Sequence, residues 1–184
     1  AWRAVAPRAR ANLFHAAHRL MLERSDAITR AMTLESGKPL TESRAEFGLS
    51  ADFFLWFAEQ IAHLHGTYQS GSNGGYRVIA THQPVGPCLL ITPWNFPLLM
   101  IVRKAGAALA AGCTVVVKSA RETPVTASLF TQVLADAGFP RGVVNLIHTT
   151  RSSEVSEALL KDFRLRKVSF TGSTRVGAVL ILGV

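Results

Sequence analysis

Cysteine is nearly absent: Cys88 and Cys113 are the two in 184 residues. Both lie in apolar, strand-like runs, at no metal-ligand spacing and in no disulfide framework. The expectation for each is a buried, reduced, structural thiol, which suits a cytoplasmic protein. Acidic residues are scarce too, 12 against 20 Lys and Arg, for a net charge of +8. The basic residues are scattered and no nucleic-acid-reading motif is visible. A basic soluble surface is therefore expected rather than a nucleic-acid partner. Long hydrophobic runs are missing. The longest apolar region, 84 to 102, is broken by four prolines and Asn95 and is followed by Arg103-Lys104, which excludes a membrane span there. Internal repeats and low-complexity tracts are also lacking. No acid precedes Glu23, whereas Arg3, Arg8, Arg10 and Arg19 do. That is the composition of a transit peptide or of an amphipathic helix. There is no initiator Met, so Ala1 need not be the natural start.

What is present is a hydrophobic content of 48% with 17% charged residues, the balance of a globular chain. Leu13, Phe14, Ala17, Leu20 and Met21 recur at helical spacing over 8–23. A second helix, capped by Ser25 or Asp26, runs to Ser36, where Gly37 and Pro39 stop it. A third is expected over 41–65, its aromatic cluster (Phe47, Phe53, Phe54, Trp56, Phe57) serving as core. His63 and His65 should face different sides of that helix and make no metal pair. Residues 69–75 read as a turn, and 76–82 as an exposed strand suited to subunit contact by strand addition. From Pro84 strands and helices alternate: strands 88–92, 113–118, 143–148 and 167–171, with helices at 97–111, 124–137 and 153–161 and one opening at Gly172-Ser173-Thr174. Thr123 and Pro124 read as N-cap and first helical residue. The fold class is α/β with a parallel sheet. Its expected units are a helical part (1–66), a β arm (67–84) and a sheet-bearing part (85–184).

In open α/β sheets, ligands bind outside the carboxyl ends of the strands. That points to Trp94, Asn95 and Lys118. An amide between two aromatic residues, bracketed by Pro93 and Pro97, is held in an apolar setting where it can stabilise an oxyanion. The alternative is a turn asparagine bonding its own backbone. Lys118 is either a ligand contact or a solvated strand-end lysine. Gly172-Ser173 either receives a phosphate at a helix N-terminus or simply caps the helix.

Together these segments resemble the NAD(P)-dependent aldehyde dehydrogenases. The resemblance rests on Pro93-Trp94-Asn95-Phe96-Pro97, on 108–118, Thr123-Pro124, 142–145 and 169–174, and upstream on Glu35-Ser36-Gly37-Lys38-Pro39, all in one register. It implies an aldehyde-dehydrogenase-like fold: N-terminal helices plus an incomplete Rossmann-type parallel sheet. It matches the arginine-rich start to the first helix of the fold rather than to a leader. Family enzymes attack an aldehyde with a cysteine thiolate, hold the resulting oxyanion with an asparagine amide matching Asn95, pass hydride to the nicotinamide, and hydrolyse the thioester with glutamate-activated water. Thr92, Trp94, Asn95, Lys118, Ser119, Ala120, Arg121, Gly172 and Ser173 match cofactor-contacting positions. The stretch 100–104 looks most like the succinate-semialdehyde branch, where an arginine at the place of Arg103 binds the substrate carboxylate. The alternative is an arginine paired with a surface acid.

Three departures stand out. Lys118-Ser119-Ala120-Arg121 replaces a proline-containing segment whose acid, in NAD-preferring members, repels a 2′-phosphate, so NADP is expected, with NAD possible. His148-Thr149-Thr150-Arg151 stands where a glycine is usual. The family's nucleophilic cysteine and general-base glutamate lie beyond the Gly-Ser-Thr helix, and Cys88 and Cys113 are poor substitutes. The chain thus reads as a truncated, N-terminal portion, inactive alone and poorly soluble, of an enzyme that is a homo-oligomer in the full-length family. A non-catalytic nucleotide-binding remnant is the other reading.

Overall fold

The computed structural model describes residues 2–182. Three helices open the chain: α1 (Pro7–Glu23), α2 (Ser25–Ser36) and α3 (Leu40–Gln60). Proline at the first position of α1 costs no hydrogen bond, because that amide has no partner in a helix. Gly37 ends α2 in the left-handed conformation, φ +74°, with its N–H donating to the Thr33 carbonyl at 3.0 Å. Phe14, Ala17 and Met21 form the buried stripe of α1, and Phe47, Ala51, Phe54 and Ala58 that of α3. The two stripes meet where Phe14 stacks on Phe54, ring centroids 4.6 Å apart.

The third helix is shorter than its pattern suggests. It ends at Gln60, and Ile61–His63 form a single 3-10 turn, because the chain must swing out into a strand at Thr67. His63 and His65 therefore lie beyond the helix, their rings edge-on at 5.9 Å. Strands β1 (Thr67–Ser70) and β2 (Arg77–Ala80) form an antiparallel hairpin, with Thr67 opposite Ala80 and Ser70 opposite Arg77. Gln69 and Ser70 thus belong to a strand, not to the expected turn. Thr-Tyr-Gln-Ser is too polar to read as a strand alone and becomes one through its pairing with β2.

The remainder is β3 (Cys88–Ile91), α4 (Leu99–Ala110), β4 (Val115–Lys118), α5 (Pro124–Asp136), β5 (Val144–Ile147), α6 (Ser152–Leu160), β6 (Lys167–Phe170) and α7 (Thr174–Leu182). Strands β3 to β6 make one parallel sheet in the order β5-β4-β3-β6. All four residues of β3 are buried, as expected for a strand covered on both faces. Two successive crossovers step outward from β3 to β5, and the next returns to the far side of β3. With right-handed connections, α4 and α5 cover one face and α6 the other. The three N-terminal helices pack over α4 and α5 as an outer layer. They approach closely at Gly106, where an added Cβ would lie 2.4 Å from the Phe57 ring.

Both cysteines are buried, as expected. Val176, Val179 and Ile181 of α7 are exposed. Gly183 and Val184, which close that apolar stretch, lie outside the described residues. Among the described residues, no helix is long and apolar enough to cross a membrane.

Candidate functional site

The parallel register brings four strand ends level. Ile91 pairs with Lys118 on one side and Phe170 on the other, and Lys118 pairs with Ile147. One residue further stand Thr92, Ser119, His148 and Thr171. The connections leaving β3 and β6 run to opposite faces, so the crevice between these two strand ends is the switch point where open α/β sheets take ligands.

After Thr92, the segment Trp94–Phe96 forms a bend rather than an apolar pocket. Trp94 is 54% and Phe96 44% exposed, and Asn95 is exposed between them. Among the described residues the Asn95 side chain makes no hydrogen bond, so it is not a turn asparagine bonding its own backbone. The flanking prolines are not the long-range hold on the bend. That hold comes from Lys38, whose Nζ donates to the Asn95 carbonyl at 2.7 Å and to Glu46 Oε2 at 2.5 Å, and sits 4.8 Å over the Phe96 ring. Glu46, only 4% exposed, uses Oε1 to accept the N–H groups of Leu98 and Leu99 at 2.9 and 3.0 Å. A buried carboxylate from α3 thereby caps α4 and complements its dipole.

Lys118 is not the solvated strand-end lysine that its position suggests. It is 7% exposed, and among the described residues no carboxylate lies within 4.0 Å of its ammonium. It lines a cavity of about 440 Å³ together with Ile91, Ser156, Glu157, Val176 and Val179. Desolvation pushes the Lys118 pKa down, and the charge of Glu122 offsets part of this.

Ser119, also buried, has its Oγ 2.7 Å from His148 Nδ1, while His148 Nε2 lies 3.0 Å from Ser128 Oγ. Ser128 Oγ donates to the Pro124 carbonyl at 2.9 Å and so accepts from Nε2–H. This assigns the tautomer: Ser119 donates to Nδ1. The loops after β4 and β5 are thus joined by one interaction. Ala120 follows, half-buried, and then Arg121, whose Nε donates to Glu122 Oε1 at 2.8 Å and holds that carboxyl below the usual range.

Thr123 takes the N-cap place of α5, but its hydroxyl makes no cap bond. Glu35 supplies the cap from the end of α2, accepting Val125 N–H at 2.7 Å and Thr126 N–H at 2.8 Å. A carboxylate outcompetes a hydroxyl here because it reaches two amides at once and carries charge.

On the other side of the crevice, an added Cβ at Gly172 would lie 2.6 Å from the Phe170 ring, so the chain passes flush over that ring. Ser173 Oγ accepts Val176 N–H at 3.4 Å, in capping position for α7. Lys104 Nζ donates to Ser169 Oγ at 2.8 Å, and its pKa is lowered by burial and by neighbouring Arg103. Arg103 itself is exposed and packs over Phe53, 5.1 Å from guanidinium carbon to ring centroid. Among the described residues it pairs with no surface acid.

Lys38, Glu46, Glu35 and Lys104 had no assigned role from sequence. The available signal for Glu46 was its place on the apolar stripe of α3, one residue before Phe47 and four before Ser50. For Glu35 and Lys38 it was their position in a family-like motif with no other purpose.

The sequence matches the model of the Aldehyde dehydrogenase family over residues 1–181. It is 49% identical over 180 residues to a succinate-semialdehyde dehydrogenase of Paenarthrobacter nicotinovorans, covering 98% of this chain and 40% of that protein. It is 44% identical over 181 residues to the NADP(+) succinate-semialdehyde dehydrogenase GabD of Escherichia coli, covering 98% of this chain and 37% of that one. A solved NADP-dependent enzyme of E. coli superposes with a TM-score of 0.95 at 42% identity, over 99% of this chain and 38% of its own. The chain thus spans about two fifths of the length of these relatives. On these matches, and on a sheet whose strand ends carry the residues described above, the chain belongs to the aldehyde dehydrogenase family.

Proposed function

We propose that this chain is the cofactor-binding part of a cytoplasmic aldehyde dehydrogenase that oxidises succinate semialdehyde, or a similar aldehyde, to the acid. The observation that carries the reading is Lys118: a buried cation with no carboxylate partner among the described residues, lining a cavity beside the sheet's switch point. Such a lysine costs stability unless it meets an acceptor from a ligand. Its neighbours fit a dinucleotide. Thr92 and Trp94 flank the crevice, Ser119 and Ala120 follow Lys118, and Gly172 with Ser173 opens α7, whose N-terminal amides favour a phosphate. Arg121, in place of an acid, supports NADP over NAD, since its two outer nitrogens carry no partner among the described residues. When bound, the nicotinamide supplies the hydride acceptor.

In this reading the chain's own residues bind and orient. Asn95, its side-chain amide uncommitted, donates to the oxygen that gains charge. Arg103, stacked on Phe53 and paired with no acid among the described residues, takes the substrate's carboxylate. The β1–β2 hairpin, with Tyr68, Tyr76 and Ile79 exposed, serves contact between subunits. The nucleophilic cysteine and general-base glutamate are supplied from outside these residues, because Cys88 and Cys113 are buried away from the crevice.

Two measurements test this. The purified chain with succinate semialdehyde and NADP should form no NADPH, and turnover would refute the need for outside residues. Titration with NADPH should quench tryptophan fluorescence saturably, with most of the signal lost in W94F. A flat titration would remove the binding role.

A further inference from the structure

The Asn95 side chain, which makes no hydrogen bond among the described residues, is aimed there only through its backbone. The long-range contact of that backbone is the Lys38 ammonium, which reaches across 57 positions of sequence. We propose that Lys38 is a positioning residue for the Asn95 amide, through its bonds to the Asn95 carbonyl and to Glu46.

Lys38 is itself held from both sides. Gly37 turns the chain in the left-handed region before it, and Pro39 restricts it from behind. Its side chain is only 12% exposed. The ammonium then makes three contacts that all serve one bend: the Asn95 carbonyl, the Phe96 ring, and the Glu46 carboxylate that accepts the amides of Leu98 and Leu99. The bend is therefore pinned at Asn95 and at Leu98. Without the pin at Asn95, that residue would be held only through the chain on either side, by Thr92 at the end of β3 and by the start of α4. The position of an oxyanion donor matters steeply, since a misplacement of about 1 Å can cost about 100-fold in rate. A tetrahedral ammonium meets a carbonyl and a carboxylate lying in different directions, whereas a planar guanidinium does so only when both lie in its plane. The catalytic purpose of this device rests on the reading of Asn95 as oxyanion donor; the hold on the bend does not.

The test begins with the 184-residue chain. Nitrogen relaxation reads the amides of Asn95 and Phe96, which donate to no acceptor among the described residues, and hydrogen exchange reads those of Leu98 and Leu99. K38M should lower the order parameters of Asn95 and Phe96 and speed exchange at Leu98 and Leu99 by about 10-fold or more, leave β4 unchanged, and K38R should fall between. E35A, which removes the corresponding cap of α5, should leave all four amides as in the wild type. E46Q, which keeps the amide acceptor and drops the charge, supplies the measurement if K38M fails to fold, and should loosen Asn95 more than Leu98. Wild-type values at all four amides in K38M, or in K38R and E46Q together, overturn the proposal. A chimaera joining residues 1–182 to the remainder of the Paenarthrobacter relative tests the purpose. There K38M should lower kcat by about 100-fold with KM for aldehyde and cofactor nearly unchanged, and K38R should restore part of it. An inactive N95A beside a fully active K38M overturns positioning. A fully active N95A overturns the oxyanion reading itself, while the relaxation and exchange data still decide whether Lys38 holds the bend.

Discussion

Ser119 Oγ and His148 Nδ1 lie 2.7 Å apart, and this bond joins the first residue beyond β4 to the first beyond β5. Both residues depart from what the family resemblance leads one to expect, and they bond each other. S119A and H148A should each lower the unfolding free energy by about 1 kcal/mol. The double variant should cost clearly less than the sum of the two, because the same bond is removed twice. Urea denaturation of the four proteins measures this, and full additivity would show that the bond contributes nothing.

Lys118 predicts a trade of stability against binding. K118M replaces a largely buried lysine, without a carboxylate partner among the described residues, by an apolar chain of similar length, and should stabilise the protein by about 1 kcal/mol while abolishing NADPH quenching. The pH dependence has a definite sign. Burial lowers the pKa of Lys118 from 10.5, so in the window just below 10.5 the unfolded chain holds more protons than the folded one. The contribution of Lys118 to stability therefore rises with pH in that window. Melting temperatures across the alkaline range should lose this rising component in K118M.

Cys88 has the opposite slope. Desolvation, reinforced by Cys113, pushes its thiol from 9.0 up to about 12. Between those values the unfolded chain releases a proton that the folded chain keeps, so stability falls as pH rises. C88A should flatten that fall. In the native protein at neutral pH neither thiol should react with a maleimide, and both should react in urea. A thiol that reacts readily in the native state would contradict its burial.

Much of the fold was legible because its signals are local. Gly37 and Pro39 ended α2 where expected, and apolar strands alternating with helices announced a buried parallel sheet. Lys118 at the end of β4, and Asn95 shortly after β3, were placed at the carboxyl edge of the sheet. What escaped the sequence was the partner of each polar group. Thr123 reads as a cap from its neighbours, yet the cap is Glu35, about 90 positions away. Glu46 on an apolar stripe signals a buried charge without naming Lys38 or Leu98 as its partners. Lys118 looks solvated until α6 and α7 close around it. The strand β1 was missed because its pairing, not its composition, makes it a strand.

The two acid caps also bear on the order in which the chain takes shape. Glu35 and Glu46 precede the helices they cap by 52 to 91 positions, so neither α4 nor α5 carries the acceptor for its own first amides. Synthesis delivers the acids first. The starts of α4 and α5 gain their acceptors only when the N-terminal helices dock, so the two helix ends are fixed by tertiary contact rather than by their own sequence.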